Sequence, residues 1–564
     1  MDLLNPRKGV REYPDVRSRE IMEKTIAWFE ERGKVRLKEA DHEREWYADF
    51  IEFIGKEGIF RDLLTPPEYG REHSRWDTWR NTEFNEILGF YGLAYWYTWQ
   101  VTILGLGPIW MGDNEAVKRQ TGQFLKDGGI FAFGLSEKEH GADIYSTEVA
   151  LHPQDDGTFV ARGSKYYIGN ANEAALVSTF GKIEGSDDYV FFVVDPKHEK
   201  YECVKNVVNS QNYVAEYALH DYPITDAEIL CRGREAWDTS LNTVNVGKYN
   251  LGWASIGICT HAFYETINHA SKRRLFDHTV TEFPHVQQFF VDAWCRLLAM
   301  KTFALRTSDY MRTASAEDRR YLLYDPMVKM KVTTQGEEVV NLLWEIMAAK
   351  GFEKDMYFEM AARDIRALPK LEGTVHVNMA LIIKFMKNYF FKPGKYEPVP
   401  EVKDAQHDGF LFAQGPAKGL SKIQFHDYKP VYASQTLPNV VKFRRQVATF
   451  KQLLMAARPS KEQAKDFDFL LILGELFTLV VYGQMILEGR QIHDLDDDVV
   501  DQIFDFMVRD FSKFALQLYS KTGSTSLQRF FCMRMIRKPV VDQARFGRVW
   551  SRVKALDNAY QMND

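Results

Sequence analysis

Arg363-Asp-Ile-Arg-Ala-Leu-Pro-Lys-Leu-Glu372-Gly373-Thr374 stands just ahead of an apolar stretch at helical spacing, residues 375–390. A carboxylate followed by glycine, on a loop closing into a helix, can bring both its side chain and its own N–H close to a ligand. Glycine permits that backbone approach. Taken alone, the pair reads equally well as a solvated helix start, so its meaning depends on what surrounds it.

Working outward, residues 18–130 carry apolar positions at helical spacing, interrupted by Leu64-Thr-Pro-Pro-Glu-Tyr-Gly70, whose prolines and glycine demand a loop. Between 131 and 240 the texture changes. Residues 158–168, 189–195 and 216–222 read as strands, with Asp155-Asp156-Gly157 and Glu184-Gly185-Ser186-Asp187 as turns. Helical periodicity returns from Trp237. Val286, Phe289, Phe290, Ala293, Trp294, Leu297 and Leu298 make one buried face, and residues 327–350 predict a long helix stopped by Gly351 at its C′ position. Residues 393–438 read as a linker rich in Pro, Gly, Lys and Asp, and residues 439–564 as a further helical region. The expected division is therefore 1–130 helical, 131–240 β, 241–392 helical bundle, 393–438 linker and 439–564 helical extension. The fold class is mainly α with an inserted, barrel-like β domain.

Composition narrows the function. With 564 residues and 45% hydrophobic content the chain can bury several cores, and a formal net charge of −6 advertises neither nucleic acid nor an anionic membrane. Five scattered cysteines without a CxxC pair predict buried thiols in a reducing compartment. The N-terminus lacks an apolar signal core, and the apolar stretch 469–487 is broken by Glu475 and Gln484, which predicts a soluble, cytoplasmic protein. There is no P-loop, no HExxH and no GxSxG, and the histidines show no ligand spacing, so no metal is expected. Gly105-Leu-Gly107 lacks the third glycine of a dinucleotide turn.

Four further segments give the carboxylate its context: Phe131-Ala-Phe-Gly-Leu-Ser-Glu-Lys-Glu-His-Gly-Ala-Asp143, Arg162-Gly-Ser-Lys-Tyr-Tyr-Ile-Gly-Asn170, Lys272-Arg-Arg-Leu-Phe276 and Phe283-Pro-His-Val-Gln287. In this order and at these intervals, together with residues 363–374 and the 64–70 loop, they resemble the acyl-CoA dehydrogenase family, of the long-chain or very-long-chain type with an added C-terminal helical domain. The resemblance covers roughly residues 18–392.

That resemblance implies FAD, contacted by Phe133, Leu135, Ser136, Ala142, Tyr167, Gly169, Arg273, Phe276, Gln287, Glu345, Ala349 and Thr374. It implies Glu372 as the base that takes the substrate's α-proton, and substrate contacts at Glu372, Gly373, Ala142 and Lys248. The sequence departs from the family pattern in four places. Ala142 stands for a serine, Gly169 for a threonine, and Ala348-Ala349 for a glycine pair at an intersubunit FAD contact; Glu345 stands for a glutamine. Some members place the base on an earlier helix, where this chain has Gly247, a residue that also resembles the very-long-chain branch. The implied reaction is α,β-desaturation of an acyl-CoA in β-oxidation, with hydride transfer to flavin N5. Its partners would be an electron-transferring flavoprotein and a second copy of the chain, as a homodimer or dimer of dimers. Peripheral membrane contact stays open and nucleic acid is not expected. Rival readings are an acyl-CoA oxidase on the same fold, a flavin monooxygenase on the same scaffold, and a non-catalytic relative binding nucleic acid through Arg529, Arg534, Arg537, Lys538, Arg545, Arg548, Arg552 and Lys554.

Overall fold

The computed structural model describes residues 2–564. Six helices open the chain: α1 (Val16–Glu43), α2 (Ala48–Glu57), α3 (Ile59–Leu64), α4 (Thr78–Tyr91), α5 (Leu93–Met111) and α6 (Glu115–Lys126). Every residue of α5 from Leu93 to Trp110 is buried, so this helix, apolar nearly all round, runs through the middle of the molecule. Gly105 and Gly107 let it do so. A Cβ on Gly105 would lie 2.6 Å from the Ala132 nitrogen, and one on Gly107 would lie 2.5 Å from Thr243 Cγ2. The incomplete dinucleotide pattern is a pair of packing contacts.

Eight strands follow: β1 (Phe131–Gly134), β2 (Ala150–Pro153), β3 (Phe159–Gly169), β4 (Leu176–Ile183), β5 (Tyr189–Val194), β6 (Tyr201–Asn206), β7 (Val214–Ile224) and β8 (Ile229–Arg232). Their order is β6-β7-β3-β2-β4-β5-β8, with β1 also paired to β4, in parallel. Inward side chains from β1 to β7, among them Leu151, Ala161, Val177, Phe192, Tyr201 and Tyr217, fill one core. Across it, the hydroxyls of Thr179 on β4 and Tyr217 on β7 meet at 2.7 Å, so the sheet curls on itself.

The remaining helices are α7 (Gly233–Gly247), α8 (Asn250–Lys272), α9 (Pro284–Arg312), α10 (Tyr321–Met327), α11 (Thr333–Met347), α12 (Tyr357–Asp364), α13 (Val375–Ile383), α14 (Met386–Phe391), α15 (Lys429–Ala433), α16 (Pro438–Ala456), α17 (Phe467–Ile492), α18 (Asp497–Ser520), α19 (Ser526–Met535) and α20 (Gln543–Lys554), with a small hairpin of β9 (Arg274–Leu275) and β10 (His278–Thr279) between α8 and α9. Several expectations shift. The sheet ends at Arg232, so the expected boundary at 240 falls inside α7. The helix expected over 327–350 contains a π-helical turn at Val328–Val332 and stops at Met347, because Ala348, not Gly351, leaves the helical region (φ 54°, ψ −139°). The stretch expected as one helix over 375–390 is α13 and α14, broken near Lys384.

Residues 393–438 form a packed strap, not a loose linker. Arg306 and Arg312 of α9 donate to the carbonyls of Val399 (2.7 Å) and Val402 (2.8 Å), and Asp408 accepts from the Thr78 amide. The extension beyond it folds onto the bundle, and its tail clasps the front of the chain: Tyr560 donates to Glu30 and accepts from Asn268. By length and composition α17 could cross a membrane, yet 83% of its apolar window is buried in the protein. The basic side chains near the end are partly spent, with Arg545 paired to Asp501, Arg548 to Asp498 and Arg552 to Asp496. Of the five cysteines, Cys203 is exposed, against the expectation of buried thiols throughout.

Ala348 holds a conformation that suits glycine, at a cost of order 1–3 kcal/mol. Ala348→Gly is expected to stabilise the apoprotein by about 1 kcal/mol after the added unfolded-state entropy is subtracted. An upward shift of the urea midpoint would show it, and an unchanged or lower midpoint would refute the strain.

Candidate active site

The site is built on one face of α5. Tyr97, Gln100 and Leu104 follow one another at intervals of three and four, which stacks them along a helix. Gln100 Nε2 donates to Glu372 Oε1 at 2.5 Å and to the Gly247 carbonyl at 2.9 Å. Its own Oε1 accepts from Asn250 (3.0 Å), and Asn250 Oδ1 accepts from Asn85 (3.1 Å). Asn85 Oδ1 takes both indole N–H groups of Trp96 (2.7 Å) and Trp99 (3.0 Å). Except for the carboxylate at its end, the whole chain is buried.

Glu372 and Gly373 both have positive φ (51° and 85°), which turns the loop so that the carboxylate points back at α5 before α13 begins. Lys329, on the π-helical turn, braces the loop by donating to the Pro369 carbonyl (2.7 Å) and the Gly373 carbonyl (2.6 Å). Glu372 Oε2 is enclosed and has no hydrogen-bond partner. Burial lifts the Glu372 carboxyl to about 7, opposed by the Gln100 hydrogen bond and by the Lys329 and Lys248 charges. Burial likewise lowers the Lys329 ammonium to about 7 and Lys248 to about 8. A carboxylate with one bare oxygen and an affinity for protons near neutrality has the properties of a general base.

Position 247 can hold no rival base. A Cβ there would lie 2.5 Å from Leu104 Cδ2 and 3.2 Å from Glu372 Oε2.

The β segments meet the same helix. Asn170 sits buried at positive φ, its amide spanning Thr98, Thr102 and the Phe131 carbonyl. Just before it, β3 bulges between Lys165 and Ile168, where Tyr167 takes φ 65° and remains 59% exposed, its ring at right angles to Tyr166. The first and second segments are stapled by Lys165, which is fully buried and donates to Glu137 (2.7 Å), Thr147 and the Leu135 carbonyl. Ser136 spends its hydroxyl on the Tyr166 carbonyl (2.7 Å), so it shapes the bulge. A Cβ on Gly169 would strike Tyr97, whose hydroxyl would lie 2.9 Å away. An open aromatic face, a glycine cradle and a braced turn at one end of β3 suit a planar ring system.

The Acyl-CoA dehydrogenase, C-terminal domain model matches residues 235–387, the part that carries Gly247, Lys329 and Glu372. Over these residues the chain is similar to acyl-CoA dehydrogenases. A 3-(aryl)acrylate reductase of Clostridium sporogenes is 23% identical over 353 residues, covering 61% of this chain and 91% of that protein. A probable acyl-CoA dehydrogenase of Bacillus subtilis is 21% identical over 425 residues, covering 71% and 68%. The fold matches that of an acyl-CoA dehydrogenase from Bacillus anthracis, solved with FAD, at a TM-score of 0.77 and 16% identity over 98% of this chain and 97% of that one. The family is one of FAD-dependent oxidoreductases.

The residues singled out from the sequence fall into two groups. Glu372, Gly373, Lys248, Gly169 and Tyr167 gather about α5, with Phe133, Leu135 and Ser136 on the braced turn; Ala142 is exposed beyond that turn, and Thr374 caps α13. Arg273, Phe276 and Gln287 lie elsewhere, about the β9–β10 hairpin, and Glu345 and Ala349 are exposed at the end of α11. No hydrogen bond or ion pair links that second group to Glu372 among the described residues. Phe276 is 88% exposed at positive φ, and Gln287 donates to the Thr281 carbonyl. The Arg363-Asp364 pair is structural: Arg363 binds Asp41 of α1 at 2.5 Å.

Sequence reading missed Gln100, Tyr97, Asn250, Asn85, Lys329 and Asp325. The available signal was polar side chains inside otherwise apolar helices, Gln100 in α5 above all.

Because the Gln100 N–H favours the charged carboxylate, Gln100→Met should raise the midpoint at which Glu372 loses its proton. Infrared difference spectra against Glu372→Gln would follow the acid's carbonyl band, expected to fade through about pH 7 in the parent and at higher pH in the variant. A midpoint that stays put or falls would remove Gln100 from this role.

Proposed function

We propose that the chain desaturates an acyl-CoA thioester between Cα and Cβ, with Glu372 as the base. The carrying observation is the bare Oε2 of a carboxylate whose other oxygen is fixed by Gln100. In this reading Glu372 removes the α-proton as a hydride leaves Cβ, so two electrons and one proton depart with the hydride and the second proton remains on the carboxylate. Bound FAD supplies the hydride acceptor. A positioned base contributes about 10²–10⁴ in rate. Gln100 keeps the carboxylate aimed, and Lys329 keeps its loop from relaxing. The Glu372 N–H, presented by a positive-φ turn, is the chain's own donor for the thioester oxygen.

Tyr167, Gly169 and the 133–136 turn would hold the flavin ring. Arg273, Phe276, Gln287, Glu345 and Ala349, remote from that ring in one chain, would meet the FAD of a second copy, which supports a dimer. Electron-transferring flavoprotein is the acceptor we favour, since a caffeyl-CoA reductase–Etf complex subunit of Acetobacterium woodii is among the similar proteins. A long acyl chain loses its sequence argument. Gly247 is empty because Leu104, Gln100 and Glu372 fill the space, so it does not speak for chain length.

Purified Glu372→Gln should remain yellow while anaerobic bleaching of its flavin by saturated acyl-CoAs slows by about 10²-fold or more. Bleaching at the parent's rate would end the assignment of the base, and a parent that binds FAD but is never bleached would end the proposed reaction.

A further inference from the structure

Beside Glu372 lies a second polar group with no partner in the fold. Asp325 of α10 is 1% exposed, and neither of its carboxyl oxygens has a hydrogen-bond partner. Lys248, first after Gly247 at the junction of α7 and α8, is 5% exposed. Among the described residues no hydrogen bond or ion pair reaches its Nζ. Asp325 stands four residues before Lys329, so the two share one helical face, and Lys329 is already committed to the Glu372 loop. The charges in reach of Lys248 are Asp325, Glu372 and the like charge of Lys329, and the charge in reach of Asp325 is Lys248.

An unpaired carboxyl at this depth is expensive unless something binds it, and the Lys248 charge is within its reach. They do not bind each other, since no ion pair forms between them within 4 Å. With neither oxygen offered a donor, burial raises the Asp325 carboxyl well above the ordinary carboxylate range, which favours the form whose hydroxyl can donate. The cluster then sets two groups that can be cationic, Lys248 and Lys329, against one that can be anionic, Glu372. One more negative charge would balance it, and the free donors of Lys248 and Asp325 both suit a carboxylate. An alkyl end would leave both stranded.

We infer that Lys248 and Asp325 form a subsite for a carboxylate at the far end of the acyl group, so that the preferred substrate is the mono-CoA thioester of a short dicarboxylic acid. The inference rests on the desaturation reading above and supplies its substrate class. The acyl chain is short because the Lys248 charge is within reach of Glu372 itself.

The test uses the FAD-loaded enzyme with mono-CoA thioesters of C4, C5 and C6 dicarboxylic acids, each beside the monocarboxylic thioester of equal length. Dissociation constants come from flavin spectral perturbation and, independently, from calorimetry. One dicarboxylic member should bind roughly 10–100-fold tighter than its methyl-ended counterpart, the size of a charge-assisted hydrogen bond. Lys248→Met should collapse that ratio toward one, and Asp325→Asn, which keeps the shape and an N–H donor, should reduce it less. Equal or tighter binding of the methyl-ended thioesters, with their bleaching intact, would overturn the subsite and leave the dehydrogenase reading standing. A ratio unchanged in a folded Lys248→Met would do the same. Binding without bleaching for every thioester would instead overturn the reaction and spare the subsite.

Discussion

A one-way run of hydrogen bonds sets the geometry of this molecule's interior. An indole nitrogen can only donate, so Trp96 and Trp99 fix the oxygen of Asn85 toward themselves. That leaves the Asn85 amide nitrogen for Asn250, the Asn250 nitrogen for Gln100, and the Gln100 nitrogen for Glu372. Reversing any one amide would set two like groups against each other in a buried place, so the order is self-consistent along its length. Its result is an N–H aimed at the carboxylate from a helix that cannot move, since α5 is enclosed on every side. Preorganised donors of this kind act without reorganising at the moment of reaction.

The same interior carries charges that water would normally hold. Lys329 is nearly surrounded but satisfied by two carbonyls of the loop it braces. The π-helical turn that presents it replaces regular helix geometry where the backbone must aim a long side chain inward, the setting in which such turns recur. Glu372 gains from both lysines and from Gln100, yet burial outweighs all three and keeps its proton affinity near neutrality. An exposed carboxylate would be too weak a base, and a fully paired one weaker still.

The sequence made the carboxylate legible because Glu372, Gly373 and the intervals to Arg363 lie within one short segment, where spacing carries nearly all the information. The β domain was legible for a similar reason: alternation and turn residues are local. The support of that carboxylate was not. Gln100, Asn250 and Asn85 come from three helices, and nothing in their own neighbourhoods marks them as a relay. Lys329 lies near the start of the helix expected over 327–350 and Asp325 just ahead of it, and the π turn and the packing of α10 place both inside. The end of α11 was misjudged because Gly351 is the obvious stop, whereas Ala348 breaks the helix first by adopting a conformation a propensity argument assigns to glycine. The strap over 393–438 has the composition of a linker, but arginines of α9 satisfy its carbonyls, and those arginines are distant in sequence.

The departures from the family pattern make sense in pairs once α5 is in place. At 169 the usual threonine is missing, and the space beside the glycine is filled by Tyr97, whose hydroxyl lies where a side chain at 169 would begin. At 247 a Cβ would crowd the ends of Leu104 and Gln100, the latter bonded to the 247 carbonyl and to Glu372. In both places a small residue on the surrounding wall faces a large one on the central helix. A side chain at either glycine would have to displace those side chains, and α5 is held by its own glycines against β1 and α7. Read together, both glycines face large side chains of α5, so the two departures belong to one arrangement around that helix.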